Sequence, residues 1–267
     1  MTEATGAGQD AELLYDVRDG VAWLTFNRPK TRNALTFAMY ARLEEICGAI
    51  ETDRSITAMV VTGAGEKAFA AGTDISQFQA FKSAEDALAY ERRIDQVLTA
   101  LEKCRVPTIA AISGACTGGG AAIAACCDLR LGTQATQFGF PIARTLGNCL
   151  SMNSIARLSA LIGPARVKDI IFTARLVGAE EAHGIGLLQE VVADHAALLG
   201  RAEQLARLVS GHAPLTLRAT KEALRRLQDK DAGHDDQDLV LMCYMSEDFK
   251  EGIDAFLNKR SPNWRGK

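Results

Sequence analysis

Three consecutive glycines, Gly118, Gly119 and Gly120, stand between an apolar run at Thr108–Ile112 and a stretch of small residues from Ala121 to Cys127. Read as strand, glycine loop and helix, this segment leaves backbone N–H groups uncovered by side chains, where the helix dipole adds partial positive charge. Such an entrance can hold an oxyanion. A second glycine loop, AFAAGTDI at 68–75, lies beyond another apolar run, Ala58–Thr62. If the two runs are neighbouring strands of a parallel sheet, their loops leave at one edge, where ligands bind in such sheets. One amide from each loop can then hold a single carbonyl oxygen while negative charge builds on it, and losing one such donor typically costs about 3–4 kcal/mol of transition-state stabilisation. Close packing of helices is the other use of glycines in these positions.

Two alternative glycine chemistries fit poorly. GAGEKA at Gly63–Ala68 matches the spacing of a dinucleotide-binding turn and follows a strand. However, FAAGTDI does not open a long amphipathic helix, and no acidic residue closes a second strand about 20 positions on. GACTGGGAA lacks the Lys and Ser/Thr of a phosphate-binding P-loop.

The elements that position these loops alternate. Val21–Phe26 reads as a strand, NRPK as a turn, and Thr36 as the cap of a helix running through about Glu51. Apolar residues at Ala87, Leu88, Ile94, Val97, Leu98 and Leu101 predict a helix over Ala84–Lys103, stopped by Pro107. Beyond Arg130 the spacing predicts helices over Met152–Leu161, Ala165–Thr173 and Ala179–Gly184 and a strand over Leu188–Val192. From Asp194 the pattern is helical, broken at Pro214, with a last helix at Glu247–Leu257. An α/β core over 1–195 is thus expected to carry a helical oligomerisation region over 196–267.

Composition bounds the partners. The chain has 267 residues, a formal net charge of −3 and a pI near 5.9, so no overall basic field invites nucleic acid. No apolar run reaches the roughly 18 residues of a membrane span, and the N-terminal MTEATGAGQDAE lacks the basic and apolar regions of a signal peptide. A soluble cytoplasmic protein is expected. The seven cysteines show no C-x-x-C spacing and read as reduced, buried thiols; with no paired spacing among His183, His195, His212 and His234, no metal site is expected.

At its glycine loops the chain resembles the crotonase, or enoyl-CoA hydratase/isomerase, superfamily. The likeness runs through NRPKTRNAL, KAFAAGTDI, PTIAAISGACTGGG with CDLRL after it, GLLQEVV, and SEDFKEGIDAFLNKRSPNW, in this order. It implies a spiral of ββα units with a helical C-terminal region, assembled as a trimer or a dimer of trimers. It also implies an acyl-CoA thioester as substrate, with no separate cofactor because the thioester carries the CoA. Carried onto this sequence, the two carbonyl-binding amides fall at Thr73 and Gly119. Ala71, Gly72, Asp74 and Ile75 would line the path of adenine and pantetheine, and Lys30 and Arg32 would lie near the phosphates. Phe256 and Lys259 resemble C-terminal residues that reach CoA from a neighbouring subunit.

Hydratases of this family resemble one another in two glutamates that act as an acid/base pair on one water. Here the matching positions are Ala122 and Ile142, which transfer no proton. A step that loses a positioned acid or base typically slows by about 100-fold to 10,000-fold. Replacement candidates are Cys149, near where aryl-CoA dehalogenases of the family place an aspartate, and Glu91 and Asp95, one helical turn apart. Thr145 and Asn148 can position a water but are poor bases. The expectation is an acyl-CoA enzyme that stabilises a thioester enolate, carrying out isomerisation, decarboxylation or an atypical hydration. Its rival is a weakly active or inactive acyl-CoA binder.

Overall fold

The computed structural model describes residues 11–228 and 237–267. Its large sheet has six strands in the order β1 (Leu13–Arg18), β2 (Val21–Phe26), β3 (Ala58–Gly63), β5 (Thr108–Ile112), β7 (Leu129–Thr133) and β10 (Glu190–Val192). The first two form a hairpin whose turn residues, Asp19 and Gly20, both have positive φ, as a tight two-residue turn requires. All later pairings in this sheet are parallel. A smaller sheet orders β4 (Ala68–Ala70), β6 (Ala115–Thr117), β8 (Gln137–Gly139) and β9 (Val177–Gly178).

Both faces of the large sheet are covered, which explains why its central strands read as unbroken apolar runs. Alternate residues serve two cores. Leu24, Phe26, Met59, Val61, Ala110 and Ile112 join one with α1 (Phe37–Thr52), α2 (Ala84–Glu102) and α3 (Gly119–Cys126). Val21, Trp23, Val60, Ile109 and Leu131 join the other with Leu198, Ala202, Ala206 and Val209 of α8 (His195–Ser210). Between α3 and α8 the chain forms α4 (Ile142–Thr145), α5 (Met152–Ile162), α6 (Pro164–Thr173) and α7 (Ala179–Gly184). Thr36 does cap α1, its hydroxyl accepting from the Met39 amide at 3.3 Å.

Packing changes the expected division at 195/196. Because α8 buries an apolar stripe against the sheet, it belongs to the core; the helices extending beyond it are α9 (Pro214–Gln228), α10 (Gln237–Tyr244) and α11 (Glu247–Leu257). The continuous helical pattern expected there includes 229–236, which lie outside the described residues, as does His234. The helix expected from Ala121 begins two residues earlier, so Gly119 and Gly120 form its first turn. Gly120 must be glycine for packing, since a Cβ there would meet Ala70 O at 2.3 Å. Nor are the thiols uniformly buried: Cys149 is exposed and Cys243 half-buried.

Arg130 fastens the far end of α3. It is 3% exposed, and its guanidinium donates to the carbonyls of Cys127 and Leu187, the latter at 2.8 Å. A helix of eight residues with no glycine stop is thereby closed by a side chain. Arg130→Met strands these two carbonyls, and at about 1–3 kcal/mol each should lower the unfolding free energy by about 2–6 kcal/mol in urea titration. An unchanged midpoint and slope would contradict this role.

Candidate active site

The two glycine loops do converge, by way of the small sheet rather than straight from the large one. Parallel pairing of β4 with β6 sends both chains out together, with Ala70 opposite Cys116. Gly72 has φ +103° and Gly118 φ +53°; a Cβ on Gly72 would lie 4.0 Å from Gly119 N, and one on Gly118 only 3.4 Å from Gly72 Cα. The backbones therefore touch.

Leu35 fixes the first loop. Its N–H donates to Gly72 O and its carbonyl accepts from Asp74 N, each at 2.8 Å, while Ala71 N donates to Arg32 O at 3.0 Å. These bonds use the amides of Ala71 and Asp74 and the carbonyl of Gly72, around Thr73. Among the described residues the Thr73 N–H donates to no protein acceptor, and neither does the Gly119 N–H at the first position of α3. Thr73 and Gly119, each with an unspent donor, thus line one cavity of about 220 Å³.

Apolar side chains form most of the remaining wall: Phe78, Ile94 and Leu98 on one side, Ala122, Ile142 and Leu146 on the other. Ala122 and Ile142 are 9% and 7% exposed, and both line the cavity with side chains that carry no proton. Tyr40 and Tyr90 supply polarity that spacing alone did not reveal. The Thr73 hydroxyl lies 2.9 Å from Tyr40 Oη and 3.1 Å from Tyr90 Oη. Burial raises both phenol pKa values above the ordinary range, so both remain neutral hydrogen-bonding groups. Phe37, Phe78 and Phe81 pack around Tyr90 with ring centroids 5.0–5.8 Å from it. No periodic pattern marks these aromatics, because they come from α1, α2 and the short 3-10 turn Ile75–Ala80 with its cap Phe81.

Glu91 and Asp95 part company. Glu91 lies in the stripe of α2 that lines the cavity together with Ile94 and Leu98, and it has no ion-pair partner among the described residues. Desolvation, then the charge of Asp95, raises its pKa. Asp95 does not line the cavity. It accepts from Ser151 Oγ at 3.1 Å and from Asn153, and Arg157 Nη1 lies 3.5 Å away. Arg157 also binds Glu102 at 3.0 Å, so Asp95 belongs to a partly buried ionic network between α2 and α5.

Cys149, Asn148 and Thr145 line the cavity on the strand of chain between β8 and α5. Ala71, Gly72 and Ile75 line its mouth; Asp74 instead turns to Ser76 Oγ at 2.7 Å and Arg28 at 3.0 Å, contacts that lower its pKa. Lys30 and Arg32 are exposed outside the cavity, without an ion pair among the described residues. Phe256 is 83% exposed, beside an apolar groove between α9 and α11, and Lys259 follows it in the solvent. Neither reaches the cavity of its own chain. No helix among the described residues is long and apolar enough to cross a membrane, and none of their His, Cys, Asp or Glu side chains cluster in threes as a metal site.

Comparison with known proteins agrees with this architecture. The Enoyl-CoA hydratase/isomerase family model matches residues 16–267. The short-chain-enoyl-CoA hydratase of Clostridium acetobutylicum is 35% identical over 251 residues, covering 93% of this chain and 95% of that protein. The 2,3-dehydroadipyl-CoA hydratase of Escherichia coli is 34% identical over 260 residues, covering 96% and 100%. Among solved structures, an enoyl-CoA hydratase/carnithine racemase from Magnetospirillum magneticum superposes with a TM-score of 0.89 at 33% identity, covering 96% of each chain. With the crotonase fold and a family match across nearly its whole length, the chain is a member of the enoyl-CoA hydratase/isomerase family.

Proposed function

We propose that this family member stabilises the enolate of an acyl-CoA thioester with the Thr73 and Gly119 amides, and that Glu91 carries the proton in a double-bond isomerisation. One observation carries the reading: among the described residues Glu91 is the sole carboxylate lining the cavity. Isomerisation needs one base used twice. Glu91 would take a proton from Cα of a 3-enoyl thioester, the electrons would move into the carbonyl oxygen held by the two amides, and the same proton would return at Cγ to give the 2-enoyl thioester. Hydration instead needs one group to activate water and another to protonate Cα, and Ala122 and Ile142 supply neither. Lys30 and Arg32 are free to meet CoA phosphates, with Phe256 and Lys259 serving a neighbouring subunit in a trimer or dimer of trimers.

The relatives' names favour a second reading, an atypical hydration in which Glu91 activates water and a cavity hydroxyl or thiol, such as that of Cys149, completes the transfer. Turnover of 3-enoyl-CoA and 2-enoyl-CoA thioesters by the purified protein separates the two. Isomerisation without hydrated product supports the first, hydrated product at comparable rates the second. Tight binding of both thioesters without turnover or exchange of Cα protons in D2O would instead identify an inactive binder.

Glu91→Gln should lower kcat by at least about 100-fold with little change in KM. Since the base must be ionised, activity should rise with pH through a pKa above the ordinary carboxylate value. Removing the neighbouring charge with Asp95→Asn should move that limb to lower pH, whereas an unmoved limb would exclude Glu91 as the titrating group. The stability linkage runs in the same sense. A raised folded-state pKa makes the ionised form unfavourable, so stability from Glu91 is present at low pH and lost as pH rises through that pKa. Glu91→Gln should therefore raise the melting temperature at neutral pH and leave it nearly unchanged near pH 4, by scanning calorimetry.

At Gly119 a Cβ would meet Tyr40 Oη at 2.0 Å. Gly119→Ala should displace the donor and lower kcat by about 100-fold to 1,000-fold. The additional change Tyr40→Phe removes the colliding oxygen and should restore part of that loss; equal activity of the single and double variants would contradict the steric account.

A further inference from the structure

A second candidate site lies at the other edge of the large sheet from the acyl cavity. There, where Thr57 and Pro107 lead into the starts of β3 and β5, a cleft of about 230 Å³ is lined by Arg54, Arg105, His212, Arg218 and Arg265. Among the described residues no aspartate or glutamate lines it, although the chain as a whole carries a net charge of −3.

The cationic walls are held by specific contacts. Arg105 donates to the carbonyls of Ile50, Asp53 and Ile56 at 3.1, 2.9 and 3.0 Å, closing the C-terminal end of α1. Its pKa is lowered, first by burial and then by the like charge of Arg54; Glu51 and Cys104 oppose the shift and Arg218 adds to it. Arg265 is placed by the C-terminal tail: its own amide and that of Gly266 donate to the buried Asp248 carboxylate at 2.7 and 2.8 Å. The start of α9 at Pro214 contributes the positive end of a 15-residue helix. Arg218 has only a 3.5 Å contact with Glu51, while Arg54 and Arg265 are exposed and form no side-chain ion pair among the described residues.

We propose that this cleft binds a small phosphate-bearing anion, independently of the acyl-CoA site. Arginine forks match the oxygens of a phosphoryl group, and like-charged groups gathered in one cleft, with Glu51 reaching only Arg218 and at 3.5 Å, are relieved by an anion among them. The cavity is smaller than the roughly 300–1,000 Å³ of drug-sized sites, so it takes a phosphate, a pyrophosphate or the phosphoryl end of a larger molecule.

Calorimetric titration of the full chain with inorganic phosphate, pyrophosphate and ADP tests the site. Saturable binding of at least one anion is expected. Arg54→Gln combined with Arg265→Gln should weaken it by at least about tenfold, from the loss of two charge-assisted contacts. Lys30→Gln combined with Arg32→Gln should leave that affinity within about twofold, because those residues lie outside the cleft. Tighter binding of pyrophosphate would point to a free anion, tighter binding of ADP to a nucleotide, and either supports the site. Both arginines are exposed, so the melting temperature of the double variant should match that of the parent; if it falls, Arg265→Lys, which keeps the charge and loses the fork, should still weaken binding. No binding of the three anions, unchanged affinity in the Arg54/Arg265 variants, or loss confined to the Lys30/Arg32 variant would overturn the proposal.

Discussion

The contact of two backbones, at Gly72 and Gly118, is the constraint around which this molecule is arranged. A Cβ at Gly118 would lie in van der Waals contact with Gly72 Cα, and both residues use positive φ, which L side chains rarely adopt. Holding two such flexible residues in a single conformation has an entropic cost, which must be offset by bonds around them. Leu35 supplies two of those bonds to the first loop, and Gly118 N donates to Gly139 O at 3.0 Å to steady the second. The small sheet brings the loops together, and the large sheet with its two cores gives the small sheet a foundation.

From this contact follows a separation of chemical tasks. In the proposed reaction, charge stabilisation falls to backbone amides, which change little when side chains change, whereas proton transfer falls to side chains that can be moved or lost. The family fold is retained here with Ala122 and Ile142 in the cavity wall and a carboxylate on α2. Its environment makes Glu91 a better base than an exposed glutamate: half-burial and the neighbouring Asp95 bring its pKa closer to neutrality. Asp95 itself is committed to Arg157, Ser151 and Asn153, so it acts on Glu91 through charge and not by touching a ligand.

Much of this was legible in the residues. Central strands covered on both faces announced themselves as apolar runs, and long helices through their apolar stripes and caps, as with Thr36 on α1. Strands β4, β6, β8 and β9 have two or three residues each, too few for any period to register. The edge strand β1 mixes Leu13, Leu14 and Val17 with Asp16 and Arg18 and is exposed over its second half, and β7 carries Arg130, whose burial depends in part on the carbonyl of Leu187, distant in sequence. Within the site, a helical spacing of four put Glu91 and Asp95 on one side of α2, but only the position of Arg157 shows that they face different neighbours. The tyrosine pair around Thr73 had no local signature, since Tyr40 and Tyr90 meet it from separate helices.

The most direct measurement is a crystal structure of the protein with a saturated acyl-CoA thioester that binds without turnover. The thioester oxygen should lie about 2.7–3.1 Å from both Thr73 N and Gly119 N, with the Glu91 carboxylate the titratable group nearest Cα. A thioester oxygen bound away from either amide, or a Cα faced by Cys149 with Glu91 turned to solvent, would contradict this arrangement.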